Sequence, residues 1–293
     1  MRGRKLFGLV FVALPTLVVA QPTEQVVTVQ SGGQSLLGTL MLPEGGPAPV
    51  VLLLHGFTGS RNELPIPSTN EGVFVHTAKA LAKAGFASLR IDFRGSGEST
   101  ADITYEKTTF EGQIADALAS VDYLAGLPTV DGTQINVIGW SQGGLVATAV
   151  AGRSDKVDEV ALWQAVGDAK ATYGGLLGAD SLAKGMAAAP DETIVAKLPW
   201  GADVSLNGAF FDGIETLNPM AEIANFKGPL FVSQGMTDKT VLPEVAVAFI
   251  ASHDGPEELW SQEMDHVFNV FTNVDTLNAM IAATVTFFKA NTN

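Results

Sequence analysis

The chain has 293 residues, 46% of them hydrophobic and 16% charged, enough apolar material for a large buried core. Asp and Glu (31) outnumber Lys and Arg (17), a balance that repels phosphate backbones and argues against a nucleic-acid partner. There is no cysteine, which excludes disulfides, a thiolate nucleophile, Cys-based metal sites and an N-terminal lipoprotein anchor.

The first residues read as a targeting segment. Met1-Arg2-Gly3-Arg4-Lys5 is a basic head, and 6–20 is an apolar run broken by Gly8, Pro15 and Thr16. Fifteen such residues are short for a bilayer span, and Val18-Val19-Ala20 offers the small residues a signal peptidase reads. The expectation is a signal peptide at 1–20, a mature chain from 21 to 293 that is secreted or periplasmic, and no stable membrane anchor after cleavage.

From Gln25 onward short β-branched runs alternate with longer amphipathic ones, the pattern of an α/β fold with a mostly parallel central sheet. The segments 26–29 and 35–42 form an expected antiparallel pair joined at Gly32-Gly33. Pro49–Leu54 (PVVLLL) is continuously apolar, as a strand covered on both faces should be. A helix over 74–84 is stopped by Gly85, and Ala87–Ile91 is the next strand. Phe110–Ala125 is helical, with Ile114, Ala117, Leu118, Val121 and Leu124 on one face. A strand at 135–138 feeds Gly139-Trp140-Ser141-Gln142-Gly143-Gly144, followed by a small, apolar helix to 151 and a strand over 157–163. The rhythm then breaks. Residues 167–217 are glycine-rich with no clear strand, and read as an inserted lid. The core pattern resumes with strand 229–233, helix 243–252, strand 258–262 and a helix over 274–290.

GWSQGG has the form G-x-S-x-G, which arises by chance in roughly one chain in ten of this length. Its weight therefore depends on company. A serine hydroxyl is a weak nucleophile and needs a base within hydrogen-bond reach, itself oriented by a carboxylate. The four histidines are His55, His76, His253 and His266. His266, in the loop after the strand ending near Gln262, fits the order serine, acid, histidine. His253 reads as a helix-terminal residue, His76 as a core-edge residue, and His55 as one that shapes its own loop. Asp238, in the loop after strand 229–233, is the candidate acid. Backbone donors for a developing oxyanion are expected from Gln142 and from Phe57 in His55-Gly56-Phe57-Thr58. Asp92-Phe93-Arg94-Gly95-Ser96-Gly97 has neither phosphate-loop spacing, and no cluster has convincing metal spacing.

Taken together, HGFTGS, DFRGSGES, GWSQGG, the stretch Gly235 to Val241 and Asp265-His266-Val267-Phe268 resemble the α/β-hydrolase superfamily over nearly the whole mature chain. HGFTG, SQGG and the lid length resemble the bacterial feruloyl/cinnamoyl esterase group. The resemblance implies Ser141 as nucleophile, His266 as base, Asp238 as orienting acid, Phe57 and Gln142 as oxyanion donors, and no cofactor. The implied partner is a small-molecule ester. Trp140 stands where many relatives carry histidine, and Phe210-Phe211 where related esterases can present a tyrosine. Trp140, which alters the wall beside the nucleophile, is a candidate substrate contact; Trp163 and the lid aromatics read equally as the lining of an apolar acyl or aryl pocket or as core packing. Asp168 reads equally as a contact for a polar substrate group or as a helix cap. The same triad serves peptidases and acyltransferases, and a non-catalytic binding protein on this fold is the reading from another class.

Overall fold

The computed structural model describes residues 21–291. The basic head and apolar run read as a signal peptide lie outside the described residues.

Strands β1 (Thr23–Ser31) and β2 (Gln34–Leu42) pair antiparallel through Gly32 and Gly33, both at positive φ. A two-residue turn of this kind needs left-handed backbone at both positions, which glycine adopts without a Cβ clash. β3 (Pro49–Leu54) follows, then a two-residue ladder of β4 (Pro65–Ile66) and β5 (Glu71–Gly72), helix α1 (Val73–Ala84) and β6 (Ala87–Ile91). Gly85 ends α1 at φ 94. Helix α2 (Phe110–Ala125) is capped by Thr109, whose side chain accepts from the Gly112 N–H. Next come β7 (Asp131–Trp140), α3 (Gln142–Arg153) and β8 (Glu159–Trp163).

Between β8 and the next core strand lies the insertion. It holds α4 (Ala169–Leu177), α5 (Ala179–Ala187), β9 (Thr193–Lys197), β10 (Asp203–Asn207) and α6 (Gly208–Thr216), with α7 (Pro219–Ile223) leading back. The expectation of a strandless lid is corrected here. β9 and β10 form an antiparallel hairpin from Thr193↔Asn207 to Asp203↔Lys197. Each strand is only five residues long and half-exposed, so its apolar positions are too few to stand out among the surrounding glycines. The chain closes with β11 (Leu230–Gly235), α8 (Glu244–Ser252), β12 (Glu257–Gln262) and α9 (Asp275–Asn291).

The main sheet has eight strands in the order β1-β2-β6-β3-β7-β8-β11-β12. β2 runs antiparallel to its neighbours, and every pairing from β6 to β12 is parallel. The two-residue period of β3 explains why it is apolar throughout: Val50, Leu52 and Leu54 face α2, α3 and the lid, while Val51 and Leu53 face α1 and α9. Lid residues Tyr173, Leu176, Phe210 and Phe211 join the first of these cores, so the lid is packed onto the sheet domain rather than resting over it.

Trp163 belongs to the second core. It is fully buried, meets Phe74 and Phe268 edge on, and donates its indole N–H to Thr284 Oγ1 of α9 at 3.1 Å. The core-packing alternative therefore describes it: strand alternation turns it to the face opposite the lid. Trp163→Ala is expected to lower unfolding free energy in urea titration by about 3–5 kcal/mol, the range for emptying a buried aromatic site.

Candidate active site

β7 ends at Trp140 and α3 begins at Gln142, leaving Ser141 alone to turn the chain. It does so at φ 55, ψ −116, a conformation L-residues rarely adopt and one that costs about 1–3 kcal/mol. The surrounding glycines make it possible. A Cβ on Gly143 would sit 2.0 Å from the Leu54 carbonyl oxygen, and one on Gly139 would sit 2.3 Å from that of Gly143. Backbone bonds then hold the turn: Ser141 N–H donates to Trp163 O at 3.0 Å, and Ser141 O accepts from Val166, Gly144 and Leu145. Only the serine hydroxyl is left to reach outward from a residue 5% exposed.

His266 Nε2 lies 3.0 Å from Ser141 Oγ, and His266 Nδ1 lies 2.7 Å from Asp238 Oδ2. With Nδ1–H donated to the carboxylate, Nε2 is the free acceptor facing the serine. Asp238 is buried, and its other oxygen accepts from Thr240 N–H at 2.8 Å and Val241 N–H at 3.0 Å. The carboxylate is thereby fixed with one edge toward the imidazole. The histidine loop is tied internally, Asp265 Oδ1 accepting from Val267 and Asn269 N–H, with Phe268 and Asn269 both at positive φ.

Trp140 completes this support. Its indole N–H donates to His266 O at 3.1 Å, and its ring lies 5.5 Å from the imidazole and 5.3 Å from Phe268. The ring edge also sits 3.2 Å from where a Cβ on Gly56 would stand. Wedged between the histidine loop and the loop after β3, and 7% exposed, it braces the histidine loop. Asp168 is the exposed N-cap of α4: its Oδ1 accepts from Ala171 N–H at 2.9 Å, so the capping alternative describes it. His253 ends α8 beside Glu257, and His76 bonds Asn278.

The loop after β3 presents three successive amides, and side chains accept from the outer two. Gly56 N–H donates to Glu63 Oε1 at 2.8 Å, and Thr58 N–H to the Tyr105 hydroxyl at 2.9 Å. Among the described residues no acceptor lies on the Phe57 N–H between them. Gln142 is the first residue of α3, so its N–H is one of the first-turn donors that no helical carbonyl satisfies. His55 shapes the loop as expected: its Nδ1 bonds Gly56 O at 2.9 Å and its Nε2 accepts from Phe93 N–H at 3.2 Å. Burial lowers its pKa, keeping the ring neutral in that role. Beneath lies an ionic cluster in which Asp92 accepts from Arg61 N–H at 2.6 Å and from Glu98 N–H at 2.9 Å, with the Arg61 guanidinium bonded to Asp92 and Glu98.

Glu63, Tyr105 and Arg61 are supports of this loop that sequence reasoning missed, whereas Asp92 lies in the DFRGSGES stretch it singled out. Arg61 and Glu63 lie one and three residues after the HGFTGS segment, and that nearness was the available signal. Among the described residues, no group of three or more His, Cys, Asp or Glu converges on a possible metal position, and no helix is long and apolar enough to cross a membrane.

Burial pushes the Glu63 carboxyl up from 4.5 to about 8, with the Asp92 charge adding to the rise and the Gly56 and Leu64 amides opposing it. Between those values the folded chain keeps a proton that the unfolded chain has lost. Stability attributable to this group is thus present below pH 4.5 and lost as pH rises toward 8, at up to about 1.4 kcal/mol per pH unit. Glu63→Gln retains an acceptor for Gly56 N–H and removes the titration. In urea unfolding from about pH 5 to pH 9 the wild type should lose stability relative to this variant as pH rises; two parallel curves would contradict the assignment.

A family model described as the alpha/beta hydrolase fold matches residues 49–203, more than half of the chain. The structure of Est1E from Butyrivibrio proteoclasticus with ferulic acid bound superposes with a TM-score of 0.72 at 23% identity, covering 90% of this chain and 98% of that one. The esterase domain of a Rhodothermus marinus protein gives 0.68 at 24% identity, over 92% and 98% of the two chains. At these identities the likeness is one of fold. An Escherichia coli relative, described as an uncharacterized 31.7 kDa protein in the traX-finO intergenic region, is 31% identical over 120 residues, 41% of this chain and 38% of that protein. The chain thus matches well under half the length of that curated relative. By its family match and its strand order, the chain belongs to the α/β-hydrolase family.

Proposed function

We propose that the protein is a serine carboxylic ester hydrolase working through a covalent acyl-enzyme. The observation that carries this reading is the unbroken chain from Ser141 Oγ through His266 to Asp238, at 3.0 and 2.7 Å. Ser141 Oγ attacks the ester carbonyl while His266 Nε2 takes its proton, and the Asp238 carboxylate stabilises the imidazolium formed. The developing oxyanion is received by the Phe57 and Gln142 N–H groups, and the two amides that flank Phe57 in the loop are already occupied. His266 then returns the proton to the departing alkoxide, leaving acyl-Ser141. A water molecule deprotonated by the same nitrogen releases the carboxylic acid and restores the serine.

Short-chain or aryl esters are the proposed substrates. Support for an aryl acyl group comes from the fold shared with Est1E, whose structure holds ferulic acid, and from the apolar surface of Phe57, half-buried beside the lid aromatics. Ser141→Ala is expected to lower kcat on p-nitrophenyl acetate and butyrate by about 10⁴-fold or more. A panel running from these esters to methyl ferulate ranks the acyl group. Undiminished hydrolysis by Ser141→Ala would remove the mechanism.

The basic head and apolar run support a secreted or periplasmic location. Expressed at full length in a bacterium, the exported protein should begin at Gln21 when sequenced from its N-terminus. Retention in the cytoplasm with Met1 in place would refute the export.

A further inference from the structure

One lid side chain reaches the turn at Ser141 and is used by none of the steps above. Tyr173 lies on α4 and is fully buried. Its hydroxyl donates to Gln142 Oε1, and Gln142 Nε2 donates in turn to Gln113 Oε1 on α2 at 2.7 Å. The Tyr173 ring meets Phe57 edge on, with centroids 5.4 Å apart at 78°. It is also packed against Phe110 at 5.6 Å and Phe210 at 5.3 Å. A single lid residue therefore touches both Phe57 and Gln142, whose backbone N–H groups face the proposed oxyanion.

We propose that Tyr173 is a positioning residue through which the lid aims both oxyanion donors. The inference rests on the esterase reading above. Packing alone does not require the hydroxyl, because the rings around Tyr173 are phenylalanines and a phenylalanine would fill the same seam. A buried hydroxyl needs a partner, and this one is spent on the side chain of the residue that follows the nucleophile. Gln142 consequently has both ends of its amide bonded, one to the lid and one to α2, which removes its rotamer freedom. Its backbone is the first of α3, directly after the strained Ser141, where a small rotation re-aims the N–H. Oxyanion donors act only at about 2.7–3.1 Å from the developing charge, so aim converts directly into rate. Phe57 lacks a hydrogen bond of its own on the intervening amide, and its orientation comes from its neighbours Gly56 and Thr58 and from the rings on its side chain, Tyr173 among them. The lid is thereby part of the machinery that makes the turn at Ser141 competent, beyond any contact it offers to substrate.

The test compares wild type, Tyr173→Phe, Gln142→Met and the double variant. Gln142→Met keeps the backbone N–H and removes the side-chain amide, both the acceptor for Tyr173 and the donor to Gln113. Each is assayed on p-nitrophenyl acetate with active sites titrated by a fluorophosphonate, so that rates refer to folded, reactive serine. A trifluoromethyl ketone, whose adduct places an oxyanion in the same position, reports on the donors separately from turnover. Each single variant should lose about tenfold in kcat with KM within about twofold, and the inhibition constant of the ketone should rise about tenfold in parallel. The double variant should be no slower than Gln142→Met, because the link that Tyr173→Phe breaks is already absent there. Unchanged kcat per titrated site in Tyr173→Phe, or multiplying losses in the double variant, overturns the inference while Ser141-dependent hydrolysis by the wild type leaves the esterase reading standing. Should Tyr173→Phe fail to fold, Gln142→Met alone decides by the same kcat and ketone criteria. A wild type that neither hydrolyses the ester through Ser141 nor reacts with the fluorophosphonate overturns both.

Discussion

The turn at Ser141 is the constraint on which the rest of the site depends. One non-glycine residue must take φ 55 between a parallel strand and a helix, and it is held there by four backbone hydrogen bonds to β8 and its loop and to the first turn of α3. The glycines at 139, 143 and 144 are needed because the helix must descend onto Leu54, Ala165 and its own strand at distances that exclude a Cβ. Strain of this kind persists only where the surroundings over-determine the backbone. The central position of β7, flanked by parallel β3 and β8, supplies that rigidity. The same closeness brings the β3 loop within reach of the serine, so one close approach shapes both the nucleophile's turn and the site for the oxyanion.

Polar groups beneath the β3 loop do the complementary work. Gly56 and Thr58 give their N–H groups to Glu63 and Tyr105, and His55 ties the loop back to Phe93. Burying this many polar atoms is tolerable only because each has a partner. The consequence is electrostatic as well as structural. An ionised Glu63 would oppose the negative charge that the proposed mechanism places beside the Phe57 and Gln142 N–H groups, and burial pushes the pKa of that carboxyl up to about 8. The neutral form of Glu63 thus serves both the loop and the chemistry beside it.

Much of this was legible in the sequence because the relevant signals are local. Glycines that permit a strand-to-helix turn, a continuously apolar strand, and an aspartate and a histidine in loops after later strands can each be read from a few residues. The eight strands of the main sheet follow from that alternation of runs, and the serine, histidine and aspartate come together because all three follow strands at the same end of the sheet. What was not legible depended on facing. Trp140 and Trp163 occupy paired positions on neighbouring strands, and nothing in their neighbours' identities tells which side of the sheet an aromatic ring will take or what its N–H will bond. One braces the His266 loop and the other is bonded to Thr284 of α9, more than a hundred residues away in sequence. The hairpin of β9 and β10 escaped for a different reason: its strands are short, and their partner is each other rather than the main sheet.

The lid shows how an insertion can be topologically separate and energetically continuous with the domain beneath it. The insertion between β8 and β11 could vary in length without disturbing the order of the sheet. Yet Tyr173, Phe210 and Phe211 are fully buried within the same apolar cluster as α2 and α3, and Phe57 packs between Tyr105, Tyr173 and Phe210. Opening the lid as a rigid body would therefore strip these rings of their neighbours and break the bond between Tyr173 and Gln142 together. Substrate access that preserves this seam calls for movements smaller than a rigid opening of the lid. The buried face of the lid is thus packed as part of the domain that carries the turn at Ser141.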